Sequence, residues 1–310
     1  PDFAVASLKA LIEGGYNVVG VITAADKPAG RGKKIHESAV KIYAVENQLN
    51  VLQPDKLKNP EFLAELSALK ADLQVVVAFR MLPEIVWNMP RLGTFNLHGS
   101  LLPNYRGAAP LNWAVINGET KTGVTTFLLD HKIDTGKILF KKEIAIGEND
   151  TVGDIHDGLM EIGAKLVLET VDVLASGNYS AIPQSEIMDE ADIKHAPKIF
   201  KDDCKIDWTK DSETIRNMIR GLSPYPTAWT TLIHKESGKE IPTKLFFAQK
   251  VDLHEKALSG AIKSDGKTFM NIACGTGWLR ITDIQIAGKK RMKTPDFLRG
   301  FQQLAEYRFE

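Results

Sequence analysis

The feature that most limits what this chain can fold into lies in its first hundred residues, where stretches with helical spacing alternate with short runs that are almost wholly apolar. Asp2–Gly14 carries Phe3, Ala6, Leu8, Leu11 and Ile12 near helical spacing and is stopped by Gly14-Gly15. Asn17–Thr23 then reads as a Val/Ile-rich strand. The pattern repeats as Ser38–Gln48 before Val51–Gln53, Pro60–Leu69 before Leu73–Ala78, and Pro83–Asn88 before Gly93–His98. A strand apolar on both faces is buried on both faces, and an intervening helix supplies the crossover that parallel neighbours need. The expected architecture is therefore α/β, a doubly wound and mainly parallel sheet. Such sheets normally open on a strand while this sequence opens on a helix, so a further amino-terminal strand is expected to belong to the sheet.

The alternation continues through a helix near Ala109–Ile116 and strands at Gly123–Asp130 and Lys137–Ala145, joined by the turn Asp134-Thr135-Gly136. A long helix, Thr151–Ala175, is opened by the cap signal Asp150/Thr151 and ended by Gly177. Residues 1–177 are expected to form the first domain. Residues 178–198 hold an acidic cluster, two prolines and no period, and read as a linker. In 199–310 a short helix, Ser212–Gly221, precedes the short strands Ala228–His234, Thr243–Ala248, Gly260–Lys263, Thr268–Ala273 and Trp278–Ile286. Their lengths and glycine-containing turns predict a small β-barrel, OB-like, closed by a helix at Pro295–Glu306.

With 310 residues, 44% of them hydrophobic and 25% charged, the chain is sized for two cores, and no apolar run approaches the roughly 20 residues that span a bilayer. Cys204 and Cys274 lie far apart without neighbouring ligand types and read as free thiols of a cytoplasmic protein. Net charge is zero, but residues 201–310 hold nineteen Lys and Arg against fourteen Asp and Glu. That imbalance fits either scatter or an anionic partner for the carboxy-terminal part.

The segment Thr94–Pro110 is the most informative. Side chains two apart on a strand share a face, so Asn96 and His98 project together from the carboxyl end of a strand, where open α/β sheets place their ligands. A loop rich in Gly and Pro follows. Two readings fit this pair: a reaction site, or buried polar groups satisfying the loop backbone. Asp134 can reach the same sheet edge, and the three side chains have complementary abilities. Asn donates to an oxyanion, His moves protons near neutral pH, and Asp supports a charged imidazole. None is a strong nucleophile, which points to direct transfer through a tetrahedral intermediate. His98, His131 and Asp134 are residue types that could in principle hold a metal. Asn is a poor transition-metal ligand and the spacing matches no standard motif, so no metal is expected.

These residues carry a family resemblance. Asn96-x-His98-x-Ser100-Leu-Leu-Pro103 with Asp134-Thr-Gly136 is similar to the pattern of enzymes that use 10-formyltetrahydrofolate. Asp26-Lys-Pro-Ala-Gly-Arg-Gly-Lys-Lys34, Ile206-Asp-Trp208, Ile219-Arg-Gly-Leu-Ser-Pro-Tyr-Pro226 and Ala287-Gly-Lys-Lys290 narrow it, so that the chain resembles the bacterial methionyl-tRNA formyltransferases over essentially its whole length. The resemblance implies formyl transfer to the amino group of initiator methionyl-tRNA. Asn96 and His98 would stabilise the oxyanion and Asp134 would hold His98 and assist proton removal. Ser100, Leu101, Leu102 and Pro103 would line the folate site. The motif alone leaves another amine acceptor open, a sugar nucleotide or a small metabolite. Phe79-Arg80-Met81-Leu82 departs from the family's usual Tyr-Gly-x-Ile-Leu beside the pterin pocket.

For the RNA, the resemblance makes the basic loop with Arg31, Lys33 and Lys34 a contact for the acceptor end, Arg31 foremost. Lys289, Lys290 and Arg291, at the edge of the expected barrel, form a second candidate, against the alternative of solvated surface charge. Trp208, Trp229 and Trp278 read as packing residues, and the six histidines other than His98 as surface or structural. No obligatory protein partner is implied, and a monomer is expected.

Overall fold

A computed structural model describes residues 2–29 and 34–310, the side chains of 27–29 and 34–36 excepted. In chain order the elements are α1 Asp2–Glu13, β1 Val21–Ile22, β2 Lys27–Ala29, β3 Lys34–His36, α2 Ala39–Glu46, β4 Val51–Leu52, α3 Pro60–Ala68, β5 Gln74–Val77, α4 Glu84–Trp87 and β6 Thr94–His98. Next come β7 Arg106–Gly107, α5 Pro110–Ile116, β8 Lys121–Leu128, β9 Ile138–Ala145, α6 Val152–Ser176, β10 His195–Ala196 and α7 Ser212–Gly221. The chain ends with β11 Ala228–His234, β12 Glu240–Val251, β13 Ile262–Ser264, β14 Met270–Ala273, β15 Trp278–Ile286, β16 Met292–Lys293, α8 Thr294–Gly300 and β17 Tyr307–Phe309. Two compact units emerge: Pro1–Gly107 with Thr122–Ile144 and His156–His195, and Ala108–Lys121 with Ala145–Ile155 and Ala196–Glu310.

In the first unit the helices start where the sequence offers caps. Ser38 accepts the Lys41 N–H at 3.2 Å, and Asn59 accepts the Glu61 N–H at 2.9 Å with Pro60 in the first turn. Phe62 and Leu66, one turn apart on α3, bury against Leu52, Leu82 and Val86, each large side chain contributing about 1.5–3 kcal/mol. The strands pair in the parallel sense as β1 with β4 and as β5 with β6, while β8 runs antiparallel on the other side of β6 and β9 follows it. Among the described residues β1 and β5 each have one unpaired edge, and Val75, Val76 and Val77 are accordingly only half-buried, although their sequence reads as a strand covered on both faces.

The second unit is a seven-stranded antiparallel sheet in the order β13-β14-β15-β12-β11-β17, with β16 paired to β15. Its two ends meet where the Phe309 N–H donates to the Gly260 carbonyl at 2.9 Å. Gly260 has φ +82°, and a Cβ there would lie 2.1 Å from the Phe309 carbonyl oxygen, so glycine is what lets the sheet curl into a nearly closed barrel. The predicted helix Pro295–Glu306 is shorter than expected: it ends at Gly300, a 3₁₀ turn occupies Leu304–Glu306, and the last residues become β17 on the edge of β11. Pairing with β11 outweighs the helical spacing. The core holds Ile206, Trp208, Ile219, Leu232 and Leu279, with the Trp208 Nε1–H donating to Thr230 Oγ1 at 2.9 Å. Helix α7 begins on the Asp211 cap and carries two buried arginines. Arg216 donates to the Glu148 carbonyl at 2.8 Å, and Arg220 to the carbonyls of Gly147 and Asp150 at 3.4 and 3.2 Å. Among the described residues no helix is long and apolar enough to cross a membrane.

Candidate active site

Strand β6 sets the site. It is parallel to β5 in the register Val76↔Asn96, so the two strands end at the same sheet edge. Phe95 and Leu97 are buried in the sheet layers, which leaves Asn96 and His98 on one face at that edge. The loop that follows is folded back by Thr125, which lies opposite His98 on β8. Its Oγ1 accepts the Leu102 N–H at 3.1 Å and donates to the Ser100 carbonyl at 2.6 Å, while Ser100 Oγ donates to the Asn104 carbonyl at 2.7 Å.

The loop then returns to His98. Its Nε2 lies 2.9 Å from the Tyr105 carbonyl oxygen. A carbonyl only accepts, so Nε2 carries the hydrogen and Nδ1 is the ring nitrogen free to take a proton. Nδ1 faces the Asp134 carboxylate at 3.9 Å, beyond hydrogen-bond length. Asp134 Oδ2 accepts the Gly107 N–H at 3.0 Å, which fixes the carboxylate from the other side. The Asp134 backbone has φ +55°, a left-handed conformation costing about 1 kcal/mol that Asp tolerates better than most residues. At Gly136 a Cβ would stand 1.7 Å from the Leu128 carbonyl oxygen, so the turn can approach β8 only with glycine there.

Asn96 completes the set. Its Oδ1 is buried and has no hydrogen-bond partner. Leaving such a group unmade costs about 1–3 kcal/mol, so an open amide end beside a histidine and a carboxylate marks a place prepared for an outside partner. Together the three offer a hydrogen-bonding amide, a proton acceptor and a fixed negative charge at one sheet edge, which suits acyl transfer to an amine. Among the described residues no group of three or more His, Cys, Asp or Glu side chains gathers as metal ligands.

The remaining sequence-predicted residues fall in different places. Ser100 and Leu102 are fully buried, Leu102 packing on Phe127 and Ile138, and Leu101 covers Gly123. In segment 100–103 the side chains of Ser100 and Leu102 are thus turned into the protein. Arg80 ties the Phe79–Leu82 loop down, donating to the Pro54 and Asp55 carbonyls at 2.8 and 3.3 Å, and Met81 is exposed. Arg31 and Lys33 lie outside the described residues, as does the side chain of Lys34. Lys289 and Lys290 are exposed, whereas Arg291 bonds Asp283 at 3.1 Å and lies over the Phe246 ring at 4.4 Å. Both cysteines are free and buried; burial, followed by Asp211, pushes the Cys274 thiol up to about 12.

Sequence reasoning gave no role to Tyr105, Arg106, Gly107, Gln184 or Glu190. Gln184 Nε2 donates to the carbonyls of Asp134 and Gly136, both at 2.8 Å, and its Oε1 accepts Arg106 Nε at 3.0 Å. Arg106 in turn holds both oxygens of Glu190 at 2.9 Å. A charged residue inside a Gly/Pro loop was the only signal pointing to Arg106. Gln184 carried none.

Known proteins share both the sequence and the fold of this chain. Residues 1–171 match the family model Formyl transferase, and residues 198–302 match Formyl transferase, C-terminal domain. A methionyl-tRNA formyltransferase from Parabacteroides distasonis is 59% identical over 309 residues, covering 99% of this chain and 95% of that protein. Its counterpart from Bacteroides fragilis is 54% identical over 301 residues, 97% and 93% of the two chains. In fold the chain is similar to the N-formyltransferase from Helicobacter canadensis, solved with folinic acid and dTDP-3-aminofucose, at a TM-score of 0.61 and 20% identity over 90% and 94% of the chains. On full-length identity of this order, with both family domains in sequence, the chain belongs to the methionyl-tRNA formyltransferase family.

Proposed function

We propose that this protein transfers the formyl group of 10-formyltetrahydrofolate to the amino group of methionine on initiator methionyl-tRNA. The open, buried amide of Asn96 beside His98 and Asp134 is the observation that carries the reading within the family. The amine attacks the formyl carbon, a C–N bond forms, and the bond to the donor nitrogen breaks. Negative charge gathers on the formyl oxygen, to which Asn96 Nδ2–H donates the hydrogen bond that grows in the transition state, while the open Oδ1 accepts an N–H of the attacking amine. The amine gives up a proton and the donor nitrogen takes one. His98 can carry it on Nδ1, because Nε2–H is held by Tyr105, and Asp134 stabilises the imidazolium while it lasts.

On this reading residues 1–177 form the catalytic domain, 178–198 the linker and 199–310 the tRNA-binding barrel. Ser100–Pro103 shape the folate site, and no metal takes part. Arg31, Lys33 and Lys34 meet the acceptor end of the tRNA, with Lys289, Lys290 and Arg291 on its backbone. The enzyme works in the cytoplasm as a monomer without an obligatory protein partner. The test is formyl transfer from 10-formyltetrahydrofolate to initiator methionyl-tRNA, beside elongator methionyl-tRNA and a His98→Ala control. Formylmethionine made only by the unmutated protein, preferentially on the initiator, is expected. Transfer to a sugar nucleotide or small amine in its place would overturn the substrate assignment.

A further inference from the structure

The segment 178–198 does more than connect. Two residues before Gln184, Ile182 exchanges both backbone hydrogen bonds with Ile138 of β9, each at 2.9 Å, which adds the segment to the sheet edge next to the Asp134 turn. Gln184 is 3% exposed and its bonding is complete: two donors on the Asp134 and Gly136 carbonyls, and its acceptor filled by Arg106. Arg106 is the residue before Gly107, whose N–H holds the Asp134 carboxylate. The left-handed Asp134 is therefore gripped from both ends, its backbone by Gln184 and its side chain by Gly107, and one guanidinium joins the two grips. The Arg106 guanidinium is itself buried and held at two nitrogens, Nε on Gln184 Oε1 and Nη1 shared between both oxygens of Glu190.

We propose that Gln184, oriented by Arg106 and Glu190, is a positioning residue that holds Asp134 at its working distance from His98. Gln184 touches neither His98 nor the place where substrates react, and acts only through the turn. A misplacement of about 1 Å in such a group is enough to slow a reaction about 100-fold, while substrate binding, which draws on other contacts, is spared. The side chain must be a donor: Gln184→Glu keeps the volume and the bond from Arg106 but sets a carboxylate against two carbonyl oxygens. Shortening to Gln184→Ala removes both grips.

The inference rests on the role given to Asp134 above, and the experiment separates the two. Initial rates with both substrates are measured for Gln184→Ala, Gln184→Glu, Asp134→Asn and the double variant Gln184→Ala/Asp134→Asn, with thermal unfolding to verify folding. Gln184→Glu serves alone if Gln184→Ala does not fold. The expected result is a kcat about 100-fold lower in each Gln184 variant, with KM for both substrates changed less than about twofold. In the Asp134→Asn background, removing Gln184 should lower kcat no further, because residues acting as one unit are not additive. A full additional loss in the double variant, or a raised KM at unchanged kcat, would overturn the positioning role and leave Asp134 in place. Full kcat in Asp134→Asn would overturn the assignment of Asp134 and this inference with it.

Discussion

Two polar regions of the molecule, the end of β6 and the basic run Lys289–Lys293, both stand as candidate sites in the sequence but are built in opposite ways. At the end of β6 the polar groups are fixed from behind and left open in front. His98 is held through Nε2, Asp134 through Gly107, and the Asn96 amide keeps a buried acceptor without a partner. In the basic run two of the four cations close on the protein itself. Arg291 and Lys293 converge on opposite oxygens of the buried Asp283, at 3.1 and 2.8 Å, and Arg291 also lies over Phe246. Bonding completed inside the protein holds the fold together. Bonding left incomplete in a rigid frame is available to a substrate. The same contrast separates Asn96 from Arg220, whose Nε and Nη1 are spent on Asn217 Oδ1 and on the carbonyls of Gly147 and Asp150.

This contrast can be broken by experiment. The largest effect is expected at β6. Asn96→Ala should lower kcat by about 100- to 1000-fold while leaving the unfolding midpoint unchanged or slightly raised, because the alanine removes an unsatisfied buried atom. Enzyme kinetics beside a denaturant titration measures both, and an unfolding loss matching the activity loss would erase the distinction. Asp283→Asn should behave the other way. It leaves kcat per folded molecule intact and lowers stability by about 1–3 kcal/mol, since two cations lose their charged partner at a buried site. Substituting Lys289 and Lys290 together, the exposed members of the run that are not tied to Asp283, should weaken tRNA binding and flatten its dependence on salt by about one unit of slope per phosphate contact. Affinity and slope both unchanged would leave those lysines as solvated surface.

The smallest effect concerns Tyr16, whose hydroxyl donates to Asp172; that bond, and then partial burial, push its pKa up to about 12. A folded value above the unfolded one near 10 means that the contribution to stability is complete below about pH 10 and is lost as pH rises to about 12. Difference absorbance of the phenolate between the protein and Tyr16→Phe should show one tyrosine that ionises late. Ionisation near pH 10 would mean that the bond does not form in solution.

Much of the site was readable because its parts are local. Asn96 and His98 sit two apart on a strand of 94–98, and the period of a strand puts them on one face whatever surrounds them. Asp134 stood out in a turn containing a required glycine. Gln184 was hidden because nothing in its neighbourhood repeats: its partners are 78 residues away at Arg106 and about fifty away in the Asp134 turn. Tyr105 acts through its carbonyl, which any residue could provide, so its side chain carries no sign of the task. At the carboxyl terminus, Pro295–Glu306 has helical spacing, but its last turn and β17 answer to the open edge of β11.

By itself, the sequence determined the order of the main helices and strands before the last helix, the cap at Thr151, the pairing of Asn96 with His98, and the glycines at 136 and 260. Each of these depends on periodicity, on a side chain reaching its own backbone, or on a missing Cβ, all of which act over a few residues. Only the tertiary structure decided which nitrogen of His98 is free, that Arg291 is bound to Asp283, and that residues 178–198 deliver Gln184 to the Asp134 turn. Those outcomes depend on groups distant in the chain meeting at hydrogen-bond distance in a buried place, where an unmade bond costs about 1–3 kcal/mol and local preference has no say.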